Sequence, residues 1–256
     1  MIRSHIPVLK EKKPKKMKTS RKIIIILMFL FIALLAVLFF RSPISQISEI
    51  NFQGNTFTTR DQLLQQGKVA VGDQFFGVST SILTERLEGI NSIKLVKVDK
   101  QFPGTIHVQI EEYPTVAYEL GTDGVLEAIL SNGALVSVGS SGIAVEKPIL
   151  TQWSPDDPNK IRLSQVLGQI PNQLTSDISE IIPSPTTSFS DRIKIYTRSG
   201  FEVITAISLL SDKVEYLNQV IETQEAGLIT MLEADTYESF PSVKSEVLDE
   251  EGTTNE

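Results

Sequence analysis

An uncharged run of 18 residues near the start of the chain, from Ile23 to Phe40, constrains the fold more than any other feature of the sequence. It contains neither proline nor glycine. As an α-helix rising about 1.5 Å per residue it would be roughly 27 Å long, close to the ~30 Å hydrocarbon core of a bilayer. A helix also satisfies its own backbone hydrogen bonds, which lipid cannot do. No second apolar stretch of this length follows, so the run predicts a transmembrane helix over 23–40 in a single-pass membrane protein.

The charge differs strongly between the two sides of this run. Residues 1–22 carry nine Lys or Arg and one Glu, whereas residues 42–256 carry 14 Lys or Arg and 30 Asp or Glu. Basic flanks of a span are retained in the cytoplasm. We therefore expect 1–22 to be a basic cytoplasmic tail that can also contact anionic membrane lipid, and the large C-terminal part to be extracytoplasmic. A nucleic-acid patch is the less economical interpretation of the basic run, and we expect no nucleic-acid partner.

A cleaved signal peptide is the alternative to a permanent anchor. Signal peptides have an apolar core of about 7–15 residues followed by a cleavage site of small residues. Here the apolar run is longer and ends in Leu38-Phe39-Phe40-Arg41. The pattern therefore favours an uncleaved anchor.

The part that follows the span must fold without disulfides, because the chain has no cysteine. Its stability has to come from hydrophobic cores, and roughly 200 residues are enough for one or two of them.

The segment over 45–115 has the pattern of a compact β-α-α-β-β unit. Helix signals include a capping-box sequence at Thr59–Gln62 and an i, i+4, i+7 apolar spacing that ends near Glu88. Ile106, Val108 and Ile110 alternate with polar residues, as in a strand that is buried on one face. The predicted elements are a strand over 47–52, helices over 59–67 and 79–88, and strands over 95–100 and 106–111.

The segment over 116–241 has the pattern of a second, β-rich mixed unit. Asn132-Gly133 between two apolar runs is a strong signal for a hairpin. An apolar stripe predicts a helix over 209–223, and Leu228–Leu232 follows as a late strand. Residues 242–256 are polar and acidic without periodicity, which predicts a disordered tail. The predicted fold class is thus α+β: an N-terminal transmembrane helix, a β-α-α-β-β domain, a β-rich mixed domain and an acidic tail.

Three stretches carry a resemblance to a known family. The run VKVDKQFPGTIHVQIEEYPTVA, Val96 to Ala117, resembles the closing hairpin of a POTRA domain of the DivIB/FtsQ type, with an aromatic-Pro turn and a Glu-rich strand end. Upstream, INFQGNTFTTRDQLLQQ resembles the opening strand and first helix of that domain. Thr197–Gly200, followed by a helix with Lys213 and Leu217 and by the strand over 228–232, resembles the second domain of the same family. The basic tail, the single span and the chain length agree with it.

No constellation of residues indicates catalysis. The chain has no cysteine, and its two histidines are His5, in the predicted cytoplasmic tail, and His107, after the span. These residues cannot form a tetrahedral zinc site of the usual N/S type. A Ser-His-acid triad would have to use His107, and no nucleophile-elbow sequence is present. Glu111 and Glu112 are adjacent on a strand and should point to opposite faces, which prevents them from acting as a carboxylate pair. We expect no enzyme activity, no cofactor and no metal.

Two other functions remain as alternatives. A membrane-anchored Ser/Lys peptidase could use Ser42, but the Ser-Met-x-Pro context is missing and Ser42-Pro43 more simply marks the end of the helix. A POTRA-bearing export or outer-membrane assembly component would need a C-terminal barrel, which about 140 residues with helices among them cannot form.

The resemblance implies a non-enzymatic scaffold of the bacterial divisome, concentrated at the division septum. Such a scaffold binds and stabilises small coiled-coil division proteins of the DivIC/FtsB and FtsL families, contacts other septal membrane proteins and helps to control septum formation. In the family, the C-terminal part of the second domain engages these partners. Carried over by position, the partner-binding residues are Leu228, Ile229, Thr230, Met231, Leu232 and Tyr237.

The strand over 228–232 is the predicted accessible edge, because an edge offers unpaired N–H and C=O groups to a partner strand. An ordinary core strand is the other interpretation of the same pattern. If the edge interpretation holds, replacing Ile229 or Met231 with Lys or Pro should weaken partner capture and leave the soluble part folded.

Overall fold

A computed structural model describes residues 21–121, 124–138 and 147–241 of the 256-residue chain. Most of the predicted cytoplasmic tail over 1–22 and the predicted acidic tail over 242–256 lie outside these residues. The described part contains one long N-terminal helix and two β-sheets, each with helices. The predicted α+β fold class is confirmed.

The N-terminal helix α1 spans Arg21–Arg41 and contains the predicted apolar run. Its 18-residue apolar window has a mean hydropathy of 3.5 and is not buried against the rest of the protein. Among the described residues it is the one helix long and apolar enough to cross a membrane. The positive residues at its two ends fit the two water-facing borders of a span.

The first sheet has three strands in the order β1-β3-β2. β1 runs parallel to β3, and β2 runs antiparallel to β3. The chain order is the predicted β-α-α-β-β, with these bounds: β1 Glu49–Gln53, α2 Arg60–Gly67, α3 Thr80–Glu88, β2 Ile93–Gln101 and β3 Thr105–Glu112.

Local sequence explains these elements. The side chain of Thr59 accepts a hydrogen bond from the Gln62 N–H at 3.3 Å, and the Gln62 side chain accepts one from the Thr59 N–H at 2.9 Å, so the capping box starts α2. The alternating residues of β3 are buried as expected. The hydrophobic core in which these β3 residues are buried also contains Ile50 of β1, Leu63 of α2, and Leu83 and Leu87 of α3.

The second sheet has nine strands in the order β12-β11-β10-β9-β8-β7-β4-β5-β6. Their bounds are β4 Thr115–Leu120, β5 Leu126–Leu130, β6 Leu135–Ser137, β7 Ile149–Leu150, β8 Ile178–Pro183, β9 Arg192–Thr197, β10 Glu202–Ala206, β11 Gly227–Met231 and β12 Asp235–Ser239. Its helices are α4 Pro158–Gln169, α5 Asn172–Thr175 and α6 Ile207–Thr223.

One hydrophobic core lies between this sheet and helices α4 and α6. Leu163 and Leu167 of α4 and Leu210, Val214 and Leu217 of α6 are all buried in it. The i, i+4 and i+7 spacing of the α6 residues places them on one face of that helix. The amphipathic pattern predicted over 209–223 therefore corresponds to α6, which begins two residues earlier than expected.

The first and second sheets are joined by residues 113–114 and touch near the Asn132-Gly133 turn. The Asn132 side chain donates to the Asn91 carbonyl at 2.9 Å, and the Ser131 N–H donates to the Pro114 carbonyl at 2.9 Å. Gly133 has φ +87°, a backbone conformation that residues with a side chain rarely adopt. This conformation makes the turn between β5 and β6 possible.

Glu112, at the end of β3, fixes the loop between β1 and α2. Its carboxylate accepts hydrogen bonds from the backbone N–H groups of Thr56, Phe57 and Thr58 at 2.8, 2.9 and 2.9 Å. The neighbouring Glu111 forms an exposed salt bridge with Lys94 at 2.7 Å instead. The two adjacent glutamates thus have separate partners. The Glu112 carboxylate provides the hydrogen-bond acceptors that a neighbouring strand would otherwise provide to the backbone N–H groups of this loop.

We expect Glu112→Ala to lower the free energy of unfolding by about 2 kcal/mol or more, because it leaves three backbone donors without their charged acceptor. Glu111→Ala, one residue away, is the matched control and should leave stability nearly unchanged, since an exposed ion pair contributes little. Urea unfolding of residues 42–241, followed by far-UV circular dichroism, measures both. Equal unfolding midpoints for the two variants would contradict this role of Glu112.

Candidate partner-binding edge

The six predicted partner-binding residues lie together at one end of the nine-stranded sheet. Leu228–Met231 belong to β11, Leu232 follows it directly, and Tyr237 lies on β12 opposite Ile229. The chain turns at residues 232–234 and returns antiparallel along β11.

The prediction that residues 228–232 form the edge strand is wrong. β11 pairs in parallel with β10 on one side and antiparallel with β12 on the other. Within the described residues, β12 is the terminal strand at this end of the sheet, and β6 is the terminal strand at the other end. The sequence of β12 explains why the prediction missed it: Asp-Thr-Tyr-Glu-Ser has one apolar side chain, so it lacks the alternating pattern that marks a half-buried strand.

Burial alternates along β11. Ile229 and Met231 are 0% exposed and belong to the core that α6 covers, whereas Leu228, Thr230 and Leu232 are half-buried. The burial of both side chains contradicts the basis of the expectation that Lys or Pro at Ile229 or Met231 would leave the soluble part folded. A charged side chain at either position would enter an apolar core without a partner.

Tyr237 attaches β12 to the core. Its ring packs against the core, with its centroid 6.4 Å from that of Phe201, and its hydroxyl donates to the Glu225 carbonyl at 2.8 Å. The other four residues of β12 have exposed side chains. One side chain of the strand therefore points inward, and the rest face solvent.

Gly227 allows β12 to approach the start of β11. A Cβ atom at this position would lie 2.3 Å from the Glu238 carbonyl oxygen and 2.7 Å from the Tyr237 ring. Both distances are too short for real atoms, so any larger residue would push β12 away from the sheet. Glycine is needed here for space between two strands.

Lys213 of α6 holds the turn between β11 and β12. Its ammonium donates to the Leu232 carbonyl and to the Asp235 carboxylate, both at 2.6 Å. In the sequence, Lys213 stood out only because its spacing resembles that of the family. The structure shows that this lysine holds the turn between β11 and β12. The turn and the first residue of β12 are thereby tied to α6, whose apolar face is buried in the core.

The edge carries more negative than positive charge. Glu233, Asp235 and Glu238 are exposed in the turn and on β12, and Asp235 is the one with an ion pair to Lys213.

His107 lies away from this edge, on β3 of the first sheet. Among the residues that the structure describes, no group of three or more His, Cys, Asp or Glu side chains could hold a metal ion.

Comparison with known proteins identifies the family of this sequence. Residues 45–113 match the family described as "POTRA domain, FtsQ-type". The chain is 62% identical over 254 residues to the cell division protein DivIB of Paenibacillus polymyxa, a match that covers 99% of this chain and 100% of the relative. The chain belongs to the DivIB family of cell division proteins.

More distant relatives agree. The cell division protein DivIB of Bacillus anthracis is 31% identical over 236 residues, which cover 91% of this chain and 88% of the relative. A solved structure of the major extracytoplasmic domain of the trans isomer of DivIB from Geobacillus stearothermophilus is 25% identical, with a TM-score of 0.37 over 43% of this chain and 92% of that one. That overlap is loose. The predicted family, the POTRA domain and the role in cell division are confirmed.

We expect Ile229→Lys to unfold the second sheet, with a loss of more than about 4 kcal/mol, because the charge would lie in the core without a partner. Thr230→Lys is the matched control: it places the same charge one residue away on the half-buried face and should cost about 1 kcal/mol or less. Thermal unfolding measured by circular dichroism and by the fluorescence of Trp153 separates the two. A folded Ile229→Lys protein with an unchanged midpoint would contradict the burial of β11.

Proposed function

We propose that the chain is a non-enzymatic divisome scaffold that binds and stabilises DivIC/FtsB-like and FtsL-like coiled-coil division proteins, and so helps to control septum formation. Membership of the DivIB family supports the division role. The observation that carries the binding mode is a polar terminal strand, β12, fixed to the core by one inward aromatic side chain.

The proposed topology places residues 1–22 in the cytoplasm, 23–40 in the membrane and two domains, 45–115 and 116–241, outside, followed by the acidic tail over 242–256. The basic residues before α1 and the acidic excess after it support this orientation. The protein concentrates at the division septum and contacts other septal membrane proteins there.

The partner strand adds to the free side of β12. An edge strand presents backbone N–H and C=O groups that a second chain can pair with, and alternate side chains then provide specificity. On the solvent face, Thr236 and Glu238 of β12 lie beside Thr230 and Leu228 of β11 in the ladder. Long side chains of a docked strand can therefore reach across β12 to this half-buried face.

The six proposed binding residues divide into two roles. Leu228, Thr230 and Leu232 are half-buried and available for contact. Ile229, Met231 and Tyr237 face or pack against the core and act as positioning residues that keep β12 in place. The acidic residues Glu233 and Glu238 favour a partner segment that carries Lys or Arg.

Glu238→Lys should weaken binding of purified coiled-coil partners about tenfold, because it reverses an exposed charge on the proposed edge strand. The matched control is Glu215→Lys on the exposed face of α6, which makes the same charge change away from the edge. Titration of the full chain with the partners, in detergent micelles, gives both dissociation constants. A photo-crosslinking residue at Thr236 should also capture a partner, and one at Glu215 should not.

Equal affinity of Glu238→Lys and Glu215→Lys, together with no crosslink from position 236, would overturn the proposed binding edge. Because both variants change exposed side chains, circular dichroism should show the same fold for each. A loss of binding in both variants would place the contact elsewhere on the second domain.

A further inference from the structure

Five phenylalanine rings meet where α1 leaves the bilayer. Phe39 and Phe40 belong to the last turn of α1, and Phe75, Phe76 and Phe102 belong to the first domain. Adjacent ring centroids are 5.3 to 6.2 Å apart, and Phe39 lies 6.0 Å from Phe76, which lies 6.0 Å from Phe102. These distances are typical of aromatic contacts. We call these five residues the phenylalanine cluster.

The domain side of the cluster is only partly used by the core. Phe75 is buried at 4% exposure, but Phe76 and Phe102 are 53% and 56% exposed. Ile44 and Val71, on the two segments next to them, are also exposed. Large apolar side chains that gather on a surface mark an interaction site, because water solvates them poorly.

The chain between α1 and the first domain has little freedom. The Gln74 side chain donates to the Phe40 carbonyl at 3.0 Å, the Ile47 N–H donates to the Asp73 carbonyl at 2.8 Å, and the Ser48 N–H donates to the Gly104 carbonyl at 2.8 Å. The exit segment over 42–48 is therefore held between the loop over 70–77 and the β2–β3 turn.

Gly104 makes this close packing possible. It has φ +77°, and a Cβ atom there would lie 2.6 Å from the Gln46 carbonyl oxygen. The turn that carries Phe102 thus lies directly against the exit segment. The end of the first domain cannot move far from the end of the span without breaking these contacts.

Lys100 holds the segment that places the Phe75 ring in the core and the Phe76 ring on the surface. Its ammonium donates to the Phe75 carbonyl and, at 2.7 Å, to the Val78 carbonyl, and it lies 4.5 Å from the centre of the Phe75 ring. Burial lowers the pKa of this ammonium. These contacts fix the short helical turn Phe75–Gly77, in which Phe75 enters the core and Phe76 projects outward.

The depth of the cluster matches the interfacial layer of a bilayer. A bilayer with a ~30 Å hydrocarbon core and a total thickness of ~40–45 Å has roughly 5–8 Å of interface on each side. Phe39 lies in the last turn of the apolar helix, so the Phe76 ring, 6.0 Å away, falls within that layer. Apolar and aromatic side chains at this depth bind the boundary between head groups and acyl chains.

We propose that Phe76 and Phe102, with Ile44 and Val71, dock the first domain on the lipid interface of the membrane that α1 spans, and that this contact fixes the tilt of the domain. The inference depends on the membrane-spanning part of the proposed function. Its occupant is phospholipid, because the cluster is continuous with the end of the span and lies at head-group depth.

Site-directed spin labelling tests the contact directly, since the chain has no cysteine of its own. Single variants Phe76→Cys and Phe102→Cys of the full chain carry a nitroxide in vesicles of phosphatidylglycerol and phosphatidylethanolamine. Phe31→Cys in α1 is the lipid reference. Leu120→Cys is the water reference: it is 67% exposed and lies on the second sheet, which is attached at the opposite end of β3 from the Phe102 turn.

The ratio of oxygen to nickel-chelate accessibility should be at least about threefold higher at positions 76 and 102 than at 120, because oxygen partitions into lipid and the chelate stays in water. A ratio equal to that at 120 would overturn the proposal. So would line broadening that grows with the protein-to-lipid ratio, which would assign the cluster to a second copy of the chain. A water-like ratio at position 31 would overturn the span itself, and the inference with it.

A second label position separates docking from folding. With the nitroxide at Val71→Cys, the double change Phe76→Ser and Phe102→Ser should move the label from a lipid-like to a water-like ratio. The matched change Leu120→Ser should leave the ratio at 71 as it was. Circular dichroism should be the same for all variants, since Phe76 and Phe102 are more than half exposed. A lipid-like ratio at 71 in the double variant would contradict docking through these two rings.

Discussion

The burial of Ile229 and Met231 beneath α6 is the interaction on which the β11–β12 end of the nine-stranded sheet depends. It fixes which face of β11 points inward, and a strand with a buried face needs a neighbour on each side or an edge that is protected. β12 is that neighbour. The Tyr237 ring and the Lys213 contacts to the turn attach it, and Gly227 leaves the space that it needs beside β11. The outer strand can then be polar, because its position is determined by groups beneath and beside it.

The strand β3 separates the phenylalanine cluster from the proposed partner edge. Its first residue, Thr105, leaves the turn that lies against the exit segment, and its last, Glu112, leads into the second sheet. A strand of 8 residues spans roughly 25 Å. The phenylalanine cluster lies beside the start of β3, and the proposed partner edge lies on the second sheet, which residues 113–114 join to the end of β3. Docking at one end would orient the other relative to the membrane.

The sequence predicts the elements that have a local pattern. The apolar run of α1, the capping box of α2 and the alternation in β3 each depend on neighbouring residues, and all three were found where expected. β12 was missed because its stability comes from pairing with β11 and from one aromatic side chain, neither of which leaves a periodic signal. The phenylalanine cluster was missed because it assembles rings from residues 39 to 102, whose proximity depends on the tertiary fold.

Amide hydrogen exchange of the full chain, with and without its coiled-coil partners, tests the central claim that β12 receives a partner strand. Strand addition hydrogen-bonds the outward N–H groups of the edge, which alternate along the strand. We predict that the partners slow exchange at alternate residues of 235–239 and leave β11, already paired on both sides, unchanged. Bound partners without any protection in 235–239 would contradict the account.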